Sequence, residues 1–187
     1  MKPNIILLGV GHSGTTVVTK MLFKLGWQCN DANSKFAECD ECQKVNDLAA
    51  GTTDLFDDTG YFDYERAMRS IARLQQPWVI KDPRFIFTLQ NWRTVFPSVE
   101  LNLPLVIWLT RDIKRVERSY INRGILLDNV NQLVKDENKL GEPGLFGLTI
   151  KELYGLAEKQ FLRWEGSKMR LEYEKVREAV KLFDVKR

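Results

Sequence analysis

Gly9-Val10-Gly11-His12-Ser13-Gly14-Thr15-Thr16 is the stretch on which the reading of this chain turns. It follows the hydrophobic run Ile5-Ile6-Leu7-Leu8 and precedes a helical pattern from Val17 to Leu25. A strand, a glycine-rich turn and a helix in succession make an anion site, because the turn's N–H groups and the helix N-terminus point at bound phosphate. Gly9, Gly11 and Gly14 allow positive φ and close backbone approach. Ser13, Thr15 and Thr16 add hydroxyl donors. The stretch nearly fits the triphosphate pattern G-x-x-x-x-G-K-[ST] through Gly9 and Gly14, but Thr15 stands where lysine is required. It also fits the dinucleotide pattern G-x-G-x-x-G through Gly9, Gly11 and Gly14. On the loop alone both readings stay open, as does a plain strand-to-helix turn.

Along the rest of the chain, hydrophobic runs and breakers alternate. A first strand is expected over 4–10 and a first helix over 15–25. Residues 33–50 are polar, with a helix in their second half. A loop over 51–60, a helix over 61–74 and a short strand over 78–81 follow. The segment 85–96 reads as a helix with Pro97 beyond its end. Leu103–Thr110 is continuously apolar, as in a strand buried on both faces. Helices over 113–123, 149–164 and 174–183 and a last strand over 168–172 complete the pattern. Glycines and Pro143 in 124–148 suggest a lid or an acceptor-side loop. Strands alternating with helices imply an α/β fold, a three-layer α/β/α arrangement around a mostly parallel sheet, with ligands at the carboxyl ends of the strands.

Bulk composition bounds the function. With 187 residues the chain is expected to form one domain, 1–187, around a single large core. A net charge of +3 fits an anionic ligand and makes no demand for nucleic acid. No apolar stretch approaches the roughly 20 residues that span a bilayer, and the first strand leaves no room for an N-terminal anchor. A cytoplasmic location is the expectation. Cys39-Asp40-Glu41-Cys42 is a C-x-x-C, but His12 is the sole histidine and Cys29 the only other thiol. Zinc usually needs four ligands, so ordinary thiols in a reducing compartment are favoured over metal or redox chemistry.

Two further segments deliver cations to strand ends. Trp78-Val-Ile-Lys81-Asp82-Pro83-Arg84 presents Lys81 and Arg84 at a turn fixed by Pro83. Arg111 follows the long apolar strand, and Ser119 comes eight residues later on the next helix. A guanidinium and a hydroxyl so spaced can grip one phosphate. Each segment alone also reads as solvated surface charge.

Together, these elements resemble the sulfotransferases that use 3′-phosphoadenosine 5′-phosphosulfate (PAPS), in particular small bacterial or phage-type members with a fold like that of the P-loop nucleoside-triphosphate hydrolases. His12-Ser13-Gly14-Thr15-Thr16 is similar to the family's 5′-phosphosulfate loop. Arg111-Asp112 through Ser119-Tyr120 is similar to its 3′-phosphate motif. Lys81-Asp82-Pro83-Arg84 and Met169-Arg170-Leu171-Glu172-Tyr173-Glu174 also have counterparts there. The resemblance covers about residues 4–124 and, more loosely, 160–180. It implies a sulfuryl group moved in line from PAPS to a hydroxyl or amine of a small-molecule, carbohydrate or lipid acceptor, leaving adenosine 3′,5′-bisphosphate. It implies cofactor binding by Gly11, His12, Ser13, Gly14, Thr15, Thr16, Arg111 and Ser119. Lys35-Phe36-Ala37-Glu38, followed by Val45-Asn46-Asp47-Leu48, is similar to a family stretch whose glutamate lies near the acceptor, so Glu38 is the candidate base. Asp63, after Gly60-Tyr61-Phe62, is the reserve.

The chain departs from that pattern at His12, where the family usually carries lysine or arginine. A cation there offsets charge on the bridging oxygen as sulfate leaves. His12 supplies it only when protonated, which bound phosphosulfate favours; otherwise Lys81 carries the charge. The catalytic set is therefore His12, Glu38 and Lys81, with no metal required, since no magnesium ligand set is evident. The competing readings are a P-loop kinase, an NAD-binding oxidoreductase with Asp31 near the ribose position, and a non-catalytic nucleotide-binding module. Tyr61, Phe62, Tyr64 and Trp92 read as core or as acceptor lining. Acceptor identity and oligomeric state are not encoded in any motif.

Overall fold

Ile5–Leu8 forms strand β1, and all four of its side chains are buried. A strand buried on both faces must be covered by apolar layers above and below. The computed structural model of the chain describes residues 2–29, 32, 37–49, 61–122 and 148–184 and supplies both layers. Strands β2 (Val79–Lys81) and β3 (Leu105–Thr110) flank β1, and β4 (Lys168–Glu172) pairs with β3. The order is β2-β1-β3-β4, and every ladder is parallel. Leu7 lies opposite Lys81 and Leu8 opposite Trp108.

Seven helices surround this sheet among the described residues: α1 (Thr15–Lys24), α2 (Asp40–Ala49), α3 (Tyr64–Ala72), α4 (Phe85–Ser98), α5 (Ile113–Ile121), α6 (Ile150–Arg163) and α7 (Tyr173–Asp184). Alternation along the strands divides them. Ile6, Leu8, Ile80 and Trp108 face a core shared with α2, α3, α4 and α6. Ile5, Leu7, Val79, Ile107 and Leu109 face α1 and α7. The helix α5 packs through Val116 and Tyr120 against Ile150 and Tyr154 of α6. The edge strand β4 is mostly exposed and carries Lys168, Arg170 and Glu172, charges that discourage pairing with another chain.

The topology fixes where a ligand can sit. The chain leaves β1 toward β2 on one flank and leaves β3 toward β4 on the other. The loops after β1 and β3 therefore diverge at the carboxyl end of the sheet, the switch point where ligands of open α/β sheets sit.

The expected elements form, with shifts of one to three residues at most ends. Pro97 is a correction: it lies inside α4, one residue before the helix ends at Ser98. A proline there forfeits one backbone bond in the last turn and leaves the rest of the ladder intact. Glu100, at φ 58°, then turns the chain, and its neighbour Leu101 N–H donates to Phe96 O at 3.0 Å. The C-x-x-C has a local role. The Cys39 sulfur accepts from Cys42 N–H at 3.3 Å at the start of α2, and none of the three cysteines is in a disulfide. The proposed 124–148 lid, the 51–60 loop and Asp31 lie outside the described residues, apart from Leu148.

A buried polar network ties α2 to α4 and to the end of β2. The Asn46 amide donates to Asp82 Oδ2 at 3.0 Å, and its carbonyl accepts from Thr88 Oγ1 and Trp92 Nε1, both at 2.7 Å. Asn46 is fully buried. Replacing it by alanine removes three buried hydrogen bonds, and a buried polar group left without a partner costs about 1–3 kcal/mol. Asn46→Ala is expected to lower stability by roughly 3 kcal/mol or more, read as the shift in a urea unfolding curve.

Candidate functional site

The loop between β1 and α1 is shaped by what its glycines allow. A Cβ on Gly9 would lie 2.8 Å from both Ser13 Oγ and Thr15 Cγ2. One on Gly11 would lie 2.5 Å from the Tyr120 hydroxyl, and one on Gly14 2.3 Å from the Tyr173 ring. Gly14 has φ 98° and precedes the first residue of α1 without a side-chain cap. The N-terminus of this ten-residue helix thus presents its first-turn N–H groups with no capping side chain at Gly14. His12 also lies in the left-handed region, at φ 62°. For a residue with a Cβ this is a strained conformation, one that functional loops tend to hold.

The loop's hydroxyls do not all serve as expected. Ser13 is fully buried and folds against Gly9, and its Oγ has no hydrogen-bond partner among the described residues. Thr15 is 5% exposed, and its carbonyl accepts from Thr19 Oγ1. Thr16 alone of the three is partly exposed. The loop therefore offers an anion mainly its backbone.

Two segments far apart in sequence meet the loop. His12 Nδ1 lies 3.2 Å from Ser119 Oγ on α5, and the imidazole lies against the Tyr120 ring, tilted at 44° with centroids 4.0 Å apart. The Arg111 guanidinium, just past β3, donates from Nη1 to the His12 carbonyl at 3.0 Å. It also lies 4.9 Å over the Tyr173 ring and 3.8 Å from the Glu174 carboxylate. His12, Arg111 and Ser119 therefore form one cluster with the loop, at the switch point that the strand order creates.

Glu38 and Lys81 form a second group at the end of β2, beside β1. Lys81 Nζ donates to Glu38 Oε1 at 2.6 Å, and the residues are 3% (Lys81) and 8% (Glu38) exposed. Burial pushes the Glu38 carboxyl above its ordinary value, against the pull of Lys81. A base of raised pKa is better matched to proton abstraction near neutrality. Arg84 turns away from solvent to bind Asp82 Oδ1 at 2.9 Å and Asp47 Oδ1 at 2.5 Å, which fixes the Lys81-Asp82-Pro83-Arg84 turn. Asp63 instead caps α3, accepting from Arg66 N–H at 2.9 Å. Phe62 and Trp92 belong to the core, with ring centroids 5.4 Å apart, whereas Tyr61 and Tyr64 are exposed.

Sequence reasoning gave no role to three tyrosines of the site. Tyr120 lies beneath Gly11, Tyr173 over Gly14 and Tyr154 against Arg111. Tyr120 and Tyr173 stand within the segments Arg111–Tyr120 and Met169–Glu174 but were given no role there; Tyr154 carried no signal. A cleft of about 750 Å³ begins at Arg111 and runs along β3 and β4 past Trp108, Arg170 and Glu172 to Tyr154 and Glu158 of α6.

The raised pKa of Glu38 has a thermodynamic consequence. If the carboxyl takes its proton more readily in the folded state than in the unfolded chain, its contribution to stability is greatest at low pH. That contribution falls as pH rises from about 4.5 through the raised folded value, and is flat above it. Urea unfolding at a series of pH values is expected to show this declining limb in the wild type and its loss in Glu38→Gln. No protein-family model matches the chain, and a search of curated proteins finds none that matches it.

Proposed function

We propose that the protein is a PAPS-dependent sulfotransferase with a P-loop-type fold. The observation that carries this reading is the meeting of His12, Arg111 and Ser119 at one glycine loop. A loop amide array, a guanidinium and a hydroxyl gathered at one switch point suit a ligand with two separate phosphate groups on one nucleoside. A glycine loop after a central parallel strand, with parallel neighbours on both sides, supports the P-loop assignment.

In this reading the 5′-phosphosulfate lies on the amides of Gly11 to Thr16, and the 3′-phosphate is held by Arg111 and Ser119. The acceptor hydroxyl or amine attacks sulfur while Glu38 takes its proton. The S–O bond to the 5′-phosphate breaks in line, and adenosine 3′,5′-bisphosphate leaves with the bonding electrons. Lys81 and protonated His12 offset the negative charge on the leaving oxygen. Lys81 and Glu38 are already paired, so the acceptor must enter between or beside them. His12 is held by Ser119 and Tyr120 in a strained backbone conformation, which keeps its imidazole at the loop.

A thermal-shift panel separates this reading from its rivals. A ligand at a hundred times its Kd adds about 2.7 kcal/mol, or roughly 5–10 °C for a chain of this size. Adenosine 3′,5′-bisphosphate is expected to give that shift, and ATP with magnesium or NAD much less. A shift with ATP or NAD and none with the bisphosphate contradicts the proposal. Tight bisphosphate binding without turnover of PAPS by any acceptor would leave a nucleotide-binding module.

The role of His12 has its own test. With PAPS saturating, the rate is expected to fall as pH rises through the titration of His12. His12→Arg keeps its charge and should flatten that limb. A limb unchanged in His12→Arg removes the imidazole from the charge-stabilising step.

A further inference from the structure

Tyr154 stands on α6, just after the capping box of Thr149 and Glu152 that starts that helix. Its hydroxyl makes two hydrogen bonds to a single residue. It accepts from Arg111 N–H at 3.1 Å and donates to the Arg111 carbonyl at 2.9 Å. Arg111 lies one residue beyond the last paired position of β3, where Thr110 faces Glu172. Its backbone groups have left the sheet ladder and need partners from elsewhere. One phenol oxygen supplies both.

The arrangement restrains more than a loop end. Bonding N–H and C=O of the same residue limits φ and ψ together, and with them the direction of the Cα–Cβ bond. The Arg111 side chain starts from that bond and reaches the His12 carbonyl at 3.0 Å. The Tyr154 ring is itself held against Val116, Tyr120 and Ile150, and the Tyr120 ring lies against His12. Burial raises the pKa of the Tyr154 hydroxyl, so it keeps the proton that it donates.

We propose that Tyr154 is a positioning residue for the anion site, setting the Arg111 backbone so that the guanidinium meets both the loop and the 3′-phosphate of the nucleotide. This inference rests on the nucleotide reading above. It makes α6 part of the cofactor site although Tyr154 itself need not touch the cofactor.

The test is a comparison of dissociation constants for adenosine 3′,5′-bisphosphate and adenosine 5′-phosphate by calorimetry. The constant for the 5′-phosphate divided by that for the bisphosphate isolates the contribution of the 3′-phosphate, a quantity that loss of general stability does not move. Wild type, Tyr154→Phe, Arg111→Met and the double variant are measured, each confirmed as folded by its urea transition. Tyr154→Phe keeps the ring and removes both hydrogen bonds, and it is expected to lower the ratio about fivefold or more. In the Arg111→Met background the same change should leave the ratio unaltered, because the effect passes through Arg111. A Tyr154→Phe protein with the wild-type ratio overturns the inference, and so does an equal fall in the Arg111→Met background. A wild type that does not distinguish the two nucleotides overturns the nucleotide reading and this inference with it.

Discussion

The hydrogen bond from the Arg111 guanidinium to the His12 carbonyl joins segments 99 residues apart and organises the candidate site. It is available only because β1 and β3 are parallel neighbours that end side by side. Their chains run to opposite flanks from there, the position at which parallel sheets of this kind take their ligands. Contacts from further residues converge on its two partners. Tyr154 holds the arginine's backbone, Tyr173 lies under its guanidinium, and Glu174 faces its positive charge. On the other side, Ser119 and Tyr120 hold the imidazole of the residue whose carbonyl accepts the bond.

The strands were legible because burial on both faces leaves continuous apolar runs, and Ile5–Leu8 and Leu105–Thr110 are such runs. The glycine loop was legible because positive φ and close approach restrict residue choice at Gly14. Pro97 was misjudged because a proline near a helix end is compatible with either side of the boundary. The hydroxyl donors were only partly legible. The spacing Ser13, Thr15, Thr16 says nothing about which side chains turn inward, and Ser13 and Thr15 do so because Gly9 leaves room for them. Tyr154 was illegible for a related reason: its partners are backbone groups that tertiary structure delivers. Glu38 and Lys81 could be named from a family likeness, but their ion pair is a fact of the fold.

Charge is distributed around the switch point in two ways. At the end of β2 a carboxylate and an ammonium neutralise each other in a nearly dry environment, and Asn46, Asp82, Arg84 and Asp47 brace the adjoining turn. At the end of β3 the arginine is partly open, with the Glu174 carboxylate at 3.8 Å. A dry, paired site suits proton transfer, and a half-open cation suits capture of an anion from solution. The proposed sulfuryl transfer uses the first for the acceptor and the second for the donor. In that proposal His12 serves the bond that breaks between them, which is why the identity of that one side chain bears so directly on the chemistry.

In the proposed reading one nucleotide bridges the loop after β1 and the segment that runs from Arg111 to Ser119 of α5. A crystal structure of the protein grown with adenosine 3′,5′-bisphosphate tests it most directly. The 5′-phosphate is expected on the amides of Gly11 to Thr16 and the 3′-phosphate within hydrogen-bonding distance of Arg111 and Ser119. A nucleotide bound elsewhere, or one whose 3′-phosphate points to solvent while Arg111 keeps only its contacts with His12 and Glu174, would contradict it.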